Sequence, residues 1–93
     1  MEATPFIVSV SEDEIRRERQ KGRELRSTQW WKRKRGRGIC YHCRERFPPR
    51  ELTMDHLIPI IRGGRSTKGN VVPSCKKCNS KKKHRLPFEQ EGG

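Results

Sequence analysis

The chain has 93 residues, of which only 29% are hydrophobic, and its mean hydropathy is −1.12; one domain is expected, with a core too small to hold without a staple. The formal net charge is +12, from 23 Lys and Arg against 11 Asp and Glu, a field that attracts polyanions, nucleic acid first and anionic lipid second. Met1 to Val10 carries no charged segment leading into a long apolar run, and no stretch approaches the ~20 apolar residues that span a bilayer, so reducing cytoplasm without membrane association is the expected setting.

Residues 1–10 read as an extended lead, apolar at Phe6, Ile7, Val8 and Val10. Ser11 and Glu14 form a capping box, and Glu12 and Asp13 suit the positive end of a helix. One helix is predicted from Ile15 to about Lys34, interrupted only by Gly22 and ended by Gly36 and Gly38. Its apolar residues Ile15, Leu25, Trp30 and Trp31 make no clean stripe, so packing is expected only near Leu25 to Trp31. Lys32, Arg33, Lys34, Arg35 and Arg37 follow the tryptophans, five basic positions in six with no acid. Such a run suits phosphate contacts with base stacking nearby, while at least one tryptophan is expected to pack the arm onto the rest.

From Ile39 the character changes. Residues 39–43 read as a turn carrying two thiols, Pro48-Pro49 as a break, and Glu51 to Ile60 as a strand with Pro59 near its end. Arg62 to Gly69 reads as a flexible loop, Asn70 to Pro73 as a second strand, and Cys75 to about Arg85 as a helix halted near Pro87. The expected organisation is a basic helical arm over 1–38, a metal-braced domain over 39–86 and a flexible tail over 87–93.

Cys40, Cys43, Cys75 and Cys78 form two Cys-x-x-Cys pairs separated by the 31 residues 44–74. Two thiolates three residues apart can turn inward on one tight knuckle, and two knuckles complete a tetrahedral all-sulfur shell for structural Zn²⁺. A saturated shell leaves no place for water, so this metal should fold the chain and not catalyse. His42, inside the first knuckle, is superfluous as a ligand, and a surface or backbone contact is expected for it.

Between and just after the knuckles stand Leu52-Thr53-Met54-Asp55-His56-Leu57-Ile58-Pro59, Gly63-Gly64, and Asn70-Val71-Val72-Pro73-Ser74-Cys75-Lys76-Lys77-Cys78-Asn79-Ser80-Lys81-Lys82. This ordered set resembles the HNH endonucleases, in the branch whose core is braced by a four-cysteine zinc site, over about residues 39–85. The resemblance implies a small zinc-stapled α+β domain, a ββα-metal core with a helix before it, that cleaves phosphodiester bonds in double-stranded DNA. It implies His56 as general base and Mg²⁺ or Mn²⁺ held by Asp55 and Asn79. Asn70 would fix the loop and hold the backbone or ring of His56. The chemistry agrees: a neutral histidine can take a proton from water, and hard oxygen donors suit Mg²⁺ or Mn²⁺. His84, five residues beyond Asn79, is a further candidate ligand on a poorly matching helix face.

Adjacent strand residues point to opposite faces, so the strand must end or distort for Asp55 and His56 to share a cleft. Taken singly, each of these residues is an ordinary turn, cap or satisfied polar group; their joint spacing carries the reading. Lys76, Lys77, Lys81, Lys82 and Lys83 place charge around the last helix, and Arg62 and Arg65 flank the loop glycines. Of these, Lys81, Lys82 and Arg62 join residues 32–37 as expected nucleic-acid contacts. One such site cuts one strand, so a monomer or weak dimer should nick. A bacterial or phage-encoded nuclease is expected; the alternatives are a non-catalytic zinc module that only binds nucleic acid and a colicin-type toxin with an acidic partner.

Overall fold

The computed structural model describes residues 10–82. Helix α1 spans Glu12–Arg26 and opens with the expected capping box: the Ser11 side chain accepts from Glu14 N–H, and the Glu14 side chain accepts from Ser11 N–H. The single predicted helix is in fact two. Ser27 and Thr28 turn their hydroxyls back onto the carbonyls of Glu24 and Leu25 (2.8 and 2.6 Å), and Thr28 then caps helix α2, Gln29–Gly36, by accepting from Trp31 N–H. Short hydroxyl side chains compete with the helical ladder in this way, so a Ser-Thr pair can end one helix and start the next.

Helix α2 packs on the sheet, and Trp31, 1% exposed, is the tryptophan that anchors it. The chain leaves α2 through Gly38 at φ +70, where a Cβ would lie 2.8 Å from the Phe47 carbonyl oxygen. That turn needs glycine. The isolated bridge Ile39↔Arg46 closes the first knuckle.

Strands β1 (Leu52–His56) and β2 (Val71–Cys75) pair antiparallel, with Leu52 opposite Cys75 and His56 opposite Val71. Both differ from expectation, β1 being shorter and β2 displaced toward the cysteines. Pro73 sits inside β2 without breaking it, because its carbonyl faces away from β1 and accepts from Tyr41 N–H at 2.9 Å. Helix α3 follows at once over Lys76–Lys82. Leu52, Cys40 and Cys75 form the buried cluster, with Phe47 and Cys78 against it. A core so rich in thiols explains how so little apolar sequence suffices.

The 62–69 segment is a loop, as expected, and is tied down by hydrogen bonds. A 3-10 turn at Ile60–Arg62 leads into it, Gly63 N–H and Gly64 N–H bond to Ile60 and Pro59 carbonyls, and Asn70 N–H bonds to Thr67. Gly64 lies so close to Ile58 that any Cβ would overlap the Ile58 carbonyl oxygen. Helix α1 packs on the same 3-10 turn. Its buried residues are Glu18 and Gly22, which meet Ser66 and His56, so packing is not confined to the segment near Leu25. No helix among the described residues is long and apolar enough to cross a membrane.

Candidate active site and metal centre

The sulfurs of Cys40, Cys43, Cys75 and Cys78 lie within 4.8 Å of one another, and none is in a disulfide. A tetrahedron built on Zn–S bonds of ~2.3 Å has edges of about 3.8 Å, so a small contraction would close the shell. The backbone prepares it. Cys75 N–H and Cys78 N–H point at the sulfurs of Cys40 (3.4 Å) and Cys75 (3.5 Å). The first knuckle is closed by Arg44 N–H to Cys40 O at 2.9 Å, with Arg44 itself at φ 64. Burial pushes the Cys40 thiol up, but the N–H groups of Cys43, Cys75 and His42 outweigh it and bring it down to about 6. Cys78 is pushed up to about 12, by burial and by the neighbouring thiols. Four sulfurs this close cannot all ionise alone, and a divalent cation among them removes that conflict. The donor set fits structural zinc.

At the far end of β1 the two neighbours in question do diverge, as alternation requires. The Asp55 carboxylate, 5% exposed, turns inward to His42 Nε2 (2.7 Å) and Lys82 Nζ (3.4 Å). The His56 ring turns toward α1, with Nε2 2.9 Å from Ser66 Oγ. Because β1 ends at His56, both still line one shallow depression of about 400 Å³, together with Arg19, Asn79 and Lys82. Asn79 Nδ2 makes a long contact to Thr53 Oγ1 at 3.5 Å, leaving Oδ1 as its other polar atom.

His42 corrects its expected surface role: it is the nearest partner of Asp55, which ties the zinc knuckle to the strand. Lys82 corrects the expectation of a nucleic-acid contact. Its side chain is 1% exposed, and its ammonium is spent on the His56 carbonyl (2.6 Å) and Asp55. Asn70 grips one step further on than expected. Its Oδ1 accepts from Ile58 N–H (2.9 Å), its Nδ2 donates to the Ile58 and Arg65 carbonyls (3.1 and 2.8 Å), and its own carbonyl accepts from Leu57 N–H. It therefore fixes the turn leaving β1 and does not touch the His56 ring. His84 and Lys83 lie outside the described residues.

Burial holds the His56 ring below its usual value of 6.5; Asp55 pulls it back up, while Lys82 and Arg26 reinforce the depression. A ring so placed is neutral at neutral pH, the state a proton acceptor needs. Three residues of this site escaped sequence reasoning: Arg19, Glu18 and Ser66. Gly22 is the one local signal, since a glycine one turn from Glu18 on the same helix face marks a close approach.

Of the basic residues, Lys32, Arg33, Arg37 and Lys81 are exposed, and Lys34, Arg35 and Arg62 are half-buried. Trp30 is flanked by Lys34 and Lys68, whose ammonium groups lie 5.1 and 5.5 Å from its ring centre. Arg33 and Lys34 of α2 and Arg37 just after it line a separate depression with Trp30, while Arg19 of α1 borders the depression at His56.

A two-stranded sheet feeding a helix, with four cysteines gathered at the junction, is the ββα arrangement, and the family model described as HNH endonuclease matches residues 40–91. The chain belongs to the HNH endonuclease family. No curated protein matches it. In this HNH protein the match begins at Cys40, so α1 and α2 lie outside the matched segment.

Proposed function

We propose that this HNH protein is a metal-dependent endonuclease that nicks double-stranded DNA, with His56 as general base. One observation carries the reading. A histidine that burial keeps neutral, a carboxylate and a carboxamide side chain border the same depression at the end of β1. Asp55 and Asn79 Oδ1 are hard oxygen donors of the kind Mg²⁺ or Mn²⁺ prefers. Each Asp55 oxygen retains a lone pair beyond its contact to His42 or Lys82, so the residues fit such an ion. Bound there, it would neutralise charge developing on the scissile phosphate.

The remaining work falls to the chain's own groups. His56 accepts the proton of the attacking water. His42 and Lys82 hold the Asp55 carboxylate in one orientation, and Lys82 also holds the His56 main chain. Asn70 stiffens the turn behind them. Arg19, with Lys32, Arg33, Lys34, Arg35, Arg37, Arg62 and Lys81, supplies cationic contacts to the phosphate backbone, which fix position without reading sequence. The four-cysteine zinc is structural. One site attacks one strand, so a monomer or weak dimer nicks.

The test is conversion of supercoiled plasmid by zinc-loaded protein in EDTA, Mg²⁺, Mn²⁺ or added Zn²⁺, with His56→Ala in parallel. Open circles only with Mg²⁺ or Mn²⁺, lost in the variant, are expected. Plasmid left intact under every ion but shifted on a gel would replace this reading with a zinc module that binds nucleic acid without cutting it.

A further inference from the structure

We propose that Ser66, clamped by Glu18 of α1, sets the tautomer and orientation of the His56 ring, so that the helix preceding the matched segment is a positioning part of the active centre. The inference rests on His56 being the base in the reading above. Ser66 and Glu18 are 48 residues apart in the chain and meet at two bonds: Ser66 N–H donates to Glu18 Oε1 (2.8 Å), and the Ser66 hydroxyl donates to the Glu18 carbonyl oxygen (2.6 Å). A main-chain carbonyl can only accept, so the single hydroxyl hydrogen of Ser66 is committed to α1.

His56 Nε2 lies 2.9 Å from that same hydroxyl oxygen. With its hydrogen committed, Oγ can only accept here, and Nε2 must carry the hydrogen. A neutral imidazole bears one N–H, so Nδ1 keeps the lone pair and is the atom able to take a proton from water. Gly22 completes the clamp. A Cβ there would lie 3.2 Å from Ser66 Oγ and 3.8 Å from His56 Cε1, so α1 approaches the ring edge closely because position 22 carries no side chain. Glu18 is itself steadied by Lys21 (3.3 Å) and Arg65 (3.7 Å). Lys82 meanwhile fixes the His56 carbonyl, so ring and main chain are each held by a separate contact.

A hydroxyl present only to satisfy buried polar groups would leave the ring indifferent to its removal; a positioning hydroxyl would not. In zinc-loaded full-length protein with ¹⁵N-labelled histidine, at a pH where the ring is neutral, long-range ¹⁵N–¹H correlations show which nitrogen is protonated. The wild-type His56 ring is expected as a single Nε2–H tautomer whose proton is protected from solvent exchange. Ser66→Ala should lose that protection and admit the second tautomer. In plasmid nicking it should lower kcat by about 10- to 100-fold with KM within roughly twofold, the usual effect of removing a ligand-orienting partner. Glu18→Gln keeps an oxygen for Ser66 N–H and should restore both readouts relative to Glu18→Ala.

A wild-type ring protonated at Nδ1, or a protection unchanged in Ser66→Ala, overturns the proposal. If Ser66→Ala does not fold, the wild-type ring and the Glu18 pair still decide it. A wild type that never nicks while its ring behaves as stated removes the nuclease reading and leaves the clamp supported.

Discussion

At one end of the sheet, Cys40, Leu52 and Cys75 bury one another among four gathered sulfurs; at the other, α1 meets residues 57–70 through a carboxylate, a glycine and a hydroxyl. The first region gathers four thiols into a donor set that suits a structural zinc ion. The second is tied together by hydrogen bonds onto main-chain atoms around the His56 ring. On the function proposed above, stability and catalytic geometry thus lie at different ends of one short strand, with Asp55, His42 and Lys82 between them.

The largest effect expected is metal removal. Chelation of zinc, or Cys75→Ser, should unfold the sheet and α3 together, since apparent zinc binding of roughly 10–16 kcal/mol is folding energy in such domains; loss of dispersed amide resonances would report it. Next comes the bridge. Lys82→Met leaves Asp55 facing His42 alone and frees the His56 carbonyl, and should cost about 3 kcal/mol in urea unfolding. Gly64→Ala forces the Ile58 carbonyl aside and should cost about 2 kcal/mol. Zinc affinity measured by competition should stay unchanged in Gly64→Ala; a weakened affinity there would break the division into two regions.

Glu18 gives a smaller, pH-dependent effect. The Ser66 N–H holds its carboxyl below 4.5 against the effect of burial, with Lys21 and Arg65 helping. A lowered folded value means stability present above pH 4.5 and lost as pH falls through that lowered value. The wild type should exceed Glu18→Gln by about 1 kcal/mol near neutrality, the gap closing below pH 4.5. Zinc release in acid affects both proteins alike, so the difference is what is read. The smallest effect is a gain. Arg44 occupies the left-handed region at φ 64, and Arg44→Gly should stabilise by roughly 0.5 kcal/mol in thermal unfolding, after loss of the contact with the Tyr41 ring.

What was legible in the sequence follows the same division. The knuckles, the capping box at Ser11 and the strand–helix order of the core depend on residues a few positions apart, and spacing reveals such features. The break at Ser27-Thr28 was also local, yet the surrounding helix formers concealed it. Glu18 and Ser66 were not legible, because residues 48 apart meet only once the chain has folded. Lys82 resembles its basic neighbours on the last helix and so suggests a nucleic-acid contact; its burial depends on Asp55 and on a carbonyl no pattern reveals. His42 was masked by its place among cysteines, which made it look like a spare ligand and not the partner of Asp55.

The most direct test of His56 as base is the pH dependence of single-turnover nicking at saturating Mg²⁺ or Mn²⁺. A base held below 6.5 by burial predicts a rate that is flat at neutral pH and falls on the acid side with a midpoint below 6.5. His56→Ala should lie about 100-fold lower, without that limb. Equal rates for the two proteins across the range would contradict the account.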